Sequence, residues 1–253
     1  MIGAYIAQKQ IDKGVGVAQV QIGKSPNNGS FYYLLGITLF HSKGDLSAAE
    51  GAFERSITLD KENADASVQL CQVRAAMGKT DEAIATGQQS LRENPRQPKL
   101  DILMGNLYLS KSDWKNAEDA YQNALAIDPQ QPMASIELAR VMLGRGESLD
   151  IALSLTQTAL RGTPDSPGAI DTLGWIYYRK GVYPLAVSYL EKALKLQENT
   201  KAPENPDIDY HLGWAYEKTN RPALARQHFE RVLKDNPNYP AAAEIKKELA
   251  KDI

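Results

Sequence analysis

A single cysteine, Cys71, in 253 residues removes two architectures at once. No disulfide can form within the chain, and no thiolate zinc site can be assembled. Histidine is also scarce: His41, His211 and His228 share no i, i+4 spacing and form no HExxH, so a helical metal pair is excluded. No P-loop, no GxGxxG after a strand and no GxSxG occurs. No apolar run approaches the roughly 18 residues that a bilayer-spanning helix needs. Neither sign of charge dominates, because 29 Lys and Arg against 31 Asp and Glu leave a formal charge of −2. That balance argues against a nucleic-acid or anionic-membrane partner. The opening MIGAYIAQKQIDKG has no basic start followed by a long apolar stretch and does not read as a secretory signal. At 43% hydrophobic residues the chain is too apolar for disorder and can bury a core.

What the chain does have is a beat. Small residues recur at Gly14, Ala49, Ala83, Ala117, Ala152, Ala186 and Ala225, with gaps of 35, 34, 34, 35, 34 and 39. Gly36, Cys71, Gly105, Ala139, Gly174 and Gly213 keep the same rhythm, and Pro26, Pro95, Pro129, Pro164 and Pro237 mark it a third time. Self-similarity at such a period is the signature of a repeat architecture.

Within each unit the apolar spacing is helical. Tyr32, Leu35, Gly36 and Leu39 fall on one helix face, and Ala49, Phe53, Ser56 and Ile57 on one face of a second. Between them Lys43-Gly44-Asp45 supplies a glycine able to end one helix and an aspartate able to cap the next. Gly78-Lys79-Thr80, Ser112-Asp113 and Gly146-Glu147 repeat that punctuation. Pro184 and Pro222 fall in the first turn of their helices, where a missing N–H costs nothing. The spacing therefore predicts antiparallel helix pairs. Small side chains at the Gly36 and Ala49 positions let the pair approach. Phe53, Tyr121, Leu190 and Phe229, four places beyond the second small residue, are expected to fill the gap to the next unit.

These residues resemble the tetratricopeptide repeat, W-x2-L-G-x2-Y, then A-x3-F, then P. Leu173-Gly174-x2-Tyr177 with Ala186 matches it, as do Leu212-Gly213-x2-Tyr216 with Ala225-x3-Phe229 and Pro237, and Met104-Gly105-x2-Tyr108 with Ala117-x3-Tyr121 and Pro129. The opening tryptophan is replaced by Tyr32, Ser67, Asp101, Ser135, Ile170 and Asp209, and the aromatic slot by Gly87 and Thr156 in two units. The register gives six repeats, 29–63, 64–97, 98–131, 132–166, 167–205 and 206–239. Residues 1–28 read as a truncated unit and 240–253 as a C-terminal capping helix. The resemblance implies an all-α, right-handed superhelical solenoid, one continuous array whose first helices line a concave groove.

Carried over residue by residue, the family's ligand-facing positions include Tyr33, Ile37, Phe40, Ile102, Asn106, Arg140, Trp175, Tyr178, Arg179, Tyr210, Trp214 and Lys218. Trp175 and Trp214 hold one position in adjacent repeats and are expected side by side, flanked by Tyr178 and Tyr210. The rings either pack against neighbouring first helices or form a cleft for a partner. The family's carboxylate clamp needs a lysine beside an asparagine. Asn106 has Ile102 there, so the expected ligand is an apolar protein segment, oriented by Arg140, Arg179 and Lys218.

The function expected is therefore a non-catalytic protein-interaction scaffold without cofactor or metal. Cys71 sits in a small-residue slot, Glu118-Asp119 is an adjacent pair that cannot face one substrate, and Asn28-Gly29-Ser30 is a sequon common by chance. The wording of LGWIYYRKGVYPLAVSYLEKALKL and LGWAYEKTNRPALARQHFERVLKDNP is similar to that of bacterial tetratricopeptide lipoproteins of exopolysaccharide and protein-sorting systems. That likeness offers an alternative, an envelope-located fragment whose signal would lie upstream of the cut first repeat. As written, the chain reads as cytoplasmic. The cut repeat would expose Tyr5, Ile6 and Val17 to self-association. Residues 197–205 are longer than their counterparts, either as a tolerated insertion or as a contact loop or hinge.

Overall fold

A computed structural model describes residues 10–41, 45–200 and 205–251. Among them are fourteen helices and no strand. They run α1 Ile11–Lys24, α2 Gly29–His41, α3 Leu46–Leu59, α4 Ala64–Ala76, α5 Thr80–Glu93, α6 Pro98–Ser110 and α7 Trp114–Ile127. The remainder are α8 Pro132–Arg145, α9 Leu149–Gly162, α10 Pro167–Arg179, α11 Tyr183–Glu198, α12 Pro206–Lys218, α13 Pro222–Asp235 and α14 Ala242–Leu249. The architecture is an all-α helical-repeat solenoid in two compact units, one ending at Pro129 and the other beginning at Gln130. Gly44, Tyr5 and Ile6, and part of the long 197–205 segment, lie outside the described residues.

Each helix starts and stops for a local reason. Asp45, Asn63, Asp113 and Ser166 accept from the backbone N–H three residues on, satisfying donors that a helix start leaves unpaired. Pro98, Pro132, Pro167 and Pro206 open first helices, and Pro184 and Pro222 lie in the first turn of second helices. First helices end in a left-handed residue at Gly78, Ser112, Gly146, Gly181 and Asn220, with φ between 57° and 77°. Pro95, Pro129, Pro164 and Pro237 each follow a second helix by two residues.

In the first unit α2 packs on α3, α4 on α5 and α6 on α7, and the first helices α2, α4 and α6 touch in turn. In the second unit α8, α10 and α12 pair with α9, α11 and α13 and also line up on one another. Helix α14 closes the second unit by burying Ile245 on the core formed by α10 to α13. Between repeats one and two the buried Glu50 bonds Arg74 at 2.9 Å and Lys79 at 2.8 Å. Those two cations, Lys79 foremost, hold the Glu50 carboxyl below its ordinary range.

The hairpins close around one contact. A Cβ at Gly36, Gly105, Gly174 or Gly213 would lie 2.3–2.7 Å from the side chain of Phe53, Tyr121, Leu190 or Phe229 respectively. These large groups therefore fill the space inside their own repeat, rather than the gap to the next. The reason is directional: helical side chains lean back toward the N-terminus, so a residue four places past the small alanine reaches back to the glycine's level. Repeat two solves the same problem differently. Gly87 stands at its aromatic slot, and Met104 of the next repeat takes the space, its Sδ 2.2 Å from where a Gly87 Cβ would sit. Cys71 occupies the glycine position, where burial pushes its thiol up to about 12 and Sγ donates to the Ala83 carbonyl.

The opening-tryptophan slot is buried in every repeat from the second onward, yet it holds Ser67, Asp101, Ser135, Ile170 and Asp209. Asp209 is closed over by His228, whose Nδ1 lies 2.6 Å from Oδ1, and by Arg231 Nε at 3.5 Å from Oδ2. Asp101, only 2% exposed, has its Oδ2 buried without a hydrogen-bond partner among the described residues. Burial raises its carboxyl to about 6.

Alanine normally gains about 1 kcal/mol over glycine inside a helix, but overpacking costs roughly 1–3 kcal/mol. Gly213→Ala is expected to lower stability by about 1–2 kcal/mol. Gly51→Ala, on an exposed face with nothing within 4 Å, is expected to raise it by about 0.5–1 kcal/mol. Equilibrium denaturation reads both signs. For Asp101 the folded state keeps a proton that the unfolded chain releases between about pH 4 and 6, so stability falls as pH rises through that window. Asp101→Asn should be more stable than wild type by about 1–3 kcal/mol at pH 7.5 and equal to it at pH 4. A constant difference across that range would contradict the assignment.

Candidate protein-binding surface

Four of the aromatic residues singled out in the sequence, Trp175, Tyr178, Tyr210 and Trp214, gather on α10 and α12 of the second unit. Trp175 is half-buried, its ring 4.4 Å from Tyr178 and 4.1 Å from His211, near-parallel to both. Tyr210 lies between the indoles, 6.1 Å from Trp175 and 6.3 Å from Trp214. The two tryptophans are thus bridged by a tyrosine and not stacked on each other, because His211 already covers Trp175. Trp214 is anchored edge-on against Phe229, 5.2 Å away, which fixes its orientation from below.

His211 is held from behind, with Nδ1 2.7 Å from Oδ1 of Asp171, a carboxylate that is 1% exposed. That bond spans two repeats and sets the plane against which Trp175 stacks. The Tyr210 hydroxyl donates to Glu244 on α14 at 3.1 Å, and burial, with Glu244 beside it, pushes its phenol up to about 12. The Trp214 indole N–H stands near enough to pull the other way, yet it is buried and makes no hydrogen bond among the described residues. Tyr239 closes the far side, its ring 5.4 Å from Tyr210 and its hydroxyl donating to Asp207 at 2.7 Å. Burial, then Asp207, holds that phenol well above its usual range.

The basic residues of this face do different things. Arg140 donates to Thr172 Oγ1 at 3.2 Å and bonds Glu137, tying α8 to α10. Arg179 donates to the Leu143 carbonyl at 3.1 Å, in the last turn of α8, where a cation also meets the negative end of the helix dipole. Lys218 is exposed at the end of α12. Within the first unit Tyr33, Ile37 and Phe40 are half-buried on α2 against the Phe53, Leu70 and Val73 core. Burial, then Asp65, raises the Tyr33 phenol. On α6 Ile102 is half-buried, and the exposed Asn106 accepts from the Tyr121 hydroxyl at 2.6 Å.

His211, Tyr239 and Glu244 belong to the aromatic face and carried no signal in the linear motif. The repeat register could have found Glu244, since it stands 34 residues after Tyr210, as that bond does. Among the described residues no group of His, Cys, Asp and Glu could hold a metal ion, and no helix is long and apolar enough to cross a membrane.

The His211–Asp171 bond is expected to support the stack. Hydrogen bonds to charged groups contribute about 1.5–3 kcal/mol, and a buried carboxylate left alone costs more. His211→Ala should therefore destabilise the chain by about 2–3 kcal/mol, and Asp171→Leu added to it should restore part of that loss. A double-mutant cycle without coupling would show that the pair is not energetically joined.

Comparison with known proteins places this geometry. Family models described as "Tetratricopeptide repeat" match residues 102–167 and 172–243, and residues 40–107. The BBSome complex member BBS4 of Bos taurus is 22% identical over 194 residues, 77% of this chain and 37% of that protein. Protein O-mannosyl-transferase TMTC1 of Homo sapiens is 27% identical over 166 residues, 64% of this chain and 19% of that protein. The chain therefore spans well under half the length of these relatives. Among solved structures, the Cut9–Hcn1 hetero-tetramer of the APC/C superposes with a TM-score of 0.75 at 19% identity, over 98% of this chain and 48% of that one.

Proposed function

The chain belongs to the tetratricopeptide repeat family, and from that premise we propose that its α10–α12 face takes up a protein segment through apolar and aromatic side chains. Proteins of this family are generally non-catalytic scaffolds that bind protein partners, and the repeats indicate that general role here. The narrower reading rests on one observation. Trp175, Tyr178, Tyr210 and Trp214 form a continuous, half-buried aromatic surface whose rings are oriented from behind by His211 and Phe229. Large rigid rings lose little entropy on binding and are the usual anchors of interfaces.

Fixed orientation is what separates such a surface from loose apolar exposure. A partner's leucine or phenylalanine would bury area against rings that need no rearrangement, so little of the gain is lost to ordering. The near-balanced charge supports a protein partner over a nucleic acid. Glu244, at the edge of the rings, favours a basic or neutral residue beside the apolar anchor.

Peptides selected on the intact chain from a random displayed library test this. They are expected to be enriched in leucine, phenylalanine or tryptophan. Trp175→Ala and Trp214→Ala should each weaken them by about 2 kcal/mol, roughly thirtyfold, with the helical circular dichroism retained. Unchanged affinity in both variants removes this face from consideration.

A further inference from the structure

Repeats three and six carry an aspartate at the same buried register, and among the described residues only that of repeat six has side-chain partners. In repeat six the second helix, α13, brings His228 and Arg231 onto the two oxygens of Asp209. Nineteen and twenty-two residues after Asp101, at the matching places on α7, stand Ala120 and Asn123. Neither carries a charge. Asp101 is nonetheless as deeply placed, at 2% exposure against 4% for Asp209.

The missing side chains leave room. A cavity of about 470 Å³ opens between α5 and α7 over α6, lined by Asp101, Ala120, Asn123, Gln88 and Tyr108 among others. A second, of about 340 Å³, reaches Asp101 from the Pro95 side and is also bordered by Asn123. The other charged groups at the first cavity are Arg92, which is exposed and donates to Gln89 on its own helix at 2.6 Å, and Asp119, which Lys115 bonds at 3.1 Å; neither reaches Asp101. Buried oxygens without a donor are rare in native proteins and costly, and a buried carboxylate costs more than a neutral group.

We propose that this cavity is a recognition pocket for an arginine side chain of a partner polypeptide, its guanidinium standing where His228 and Arg231 stand in repeat six. The chemistry selects arginine. The template within the chain is two planar nitrogen donors, one to each oxygen, and a guanidinium offers such a fork in a single group. It is also more weakly hydrated than an ammonium, so it meets a buried carboxylate at lower cost. The amides of Gln88 and Asn123 can accept its remaining N–H groups. The pocket lies in the first unit, on the side of the second helices, and does not depend on the aromatic face.

The test uses the whole chain and capped Gly-Arg-Gly, with the citrulline and lysine analogues as controls. Binding is read from the carboxyl carbon shift of Asp101 and the side-chain amide shift of Asn123. The arginine peptide is expected to give saturable shifts at both. Citrulline, the uncharged isostere, and Asp101→Asn should each weaken binding by about tenfold or more. Ala120→His with Asn123→Arg, which installs repeat six's partners, should abolish the Asp101 shift, the reporter that remains in that chain, and raise the melting temperature. Three results would overturn the proposal: no saturable shift at about 10 mM arginine peptide, equal shifts with citrulline, or full binding by the doubly substituted chain. Equal or tighter binding of the lysine peptide would overturn the choice of a guanidinium.

Discussion

Where two helices of a repeat cross, one of them must carry almost nothing. At Gly36, Gly105, Gly174 and Gly213 a single added carbon would stand within 2.7 Å of a phenylalanine, tyrosine or leucine side chain of the paired helix. The small residue lets the axes come close, and the large one then fills the space that closeness defines. Everything else is arranged around that contact. It fixes how each hairpin is rotated, and hence which side chains of the first helix point away from the second. In the second unit those include Trp175 and Tyr210, which meet across the neighbouring first helices α10 and α12.

A repeated hairpin also gives each buried position several trials within one chain. The opening-tryptophan slot is the clearest case. Ile170 simply fills it, Asp209 fills it as one member of a charge network, and Asp101 sits in it alone. The backbone is the same each time, so the differences belong to the side chains on the facing helix. Departures from the repeat pattern are therefore where this chain's individuality lies. An interior charge that destabilises the isolated protein is tolerated more readily when something outside can compensate it.

The helices, their order and most of their boundaries were legible because they depend on residues close in sequence. Asp45, Asp113 and the prolines act within one turn, and the small residues keep a period that survives every substitution around them. The set of aromatic residues was legible too, once the register put Trp175 and Trp214 at one position. Their arrangement was not. His211 intervenes because of Asp171, forty residues earlier, and Tyr210 is turned by Glu244, on a helix that the repeat pattern describes only as a cap. The roles of Arg140 and Arg179 were hidden for the same reason, since their acceptors, Thr172 and Leu143, lie in neighbouring repeats. Asp101 could be seen as a substitution, but its lack of a partner is a property of α7 and the space beside it.

The three tryptophans provide their own reporters for the central claim, that the α10–α12 rings are the face offered to a partner. Trp114 is exposed in the first unit, at 45%, away from those rings in the chain. Addition of a selected peptide to the isotopically labelled chain should shift the indole N–H resonances of Trp175 and Trp214 and leave that of Trp114 in place. Binding that moves Trp114 alone, or none of the three, would contradict the account.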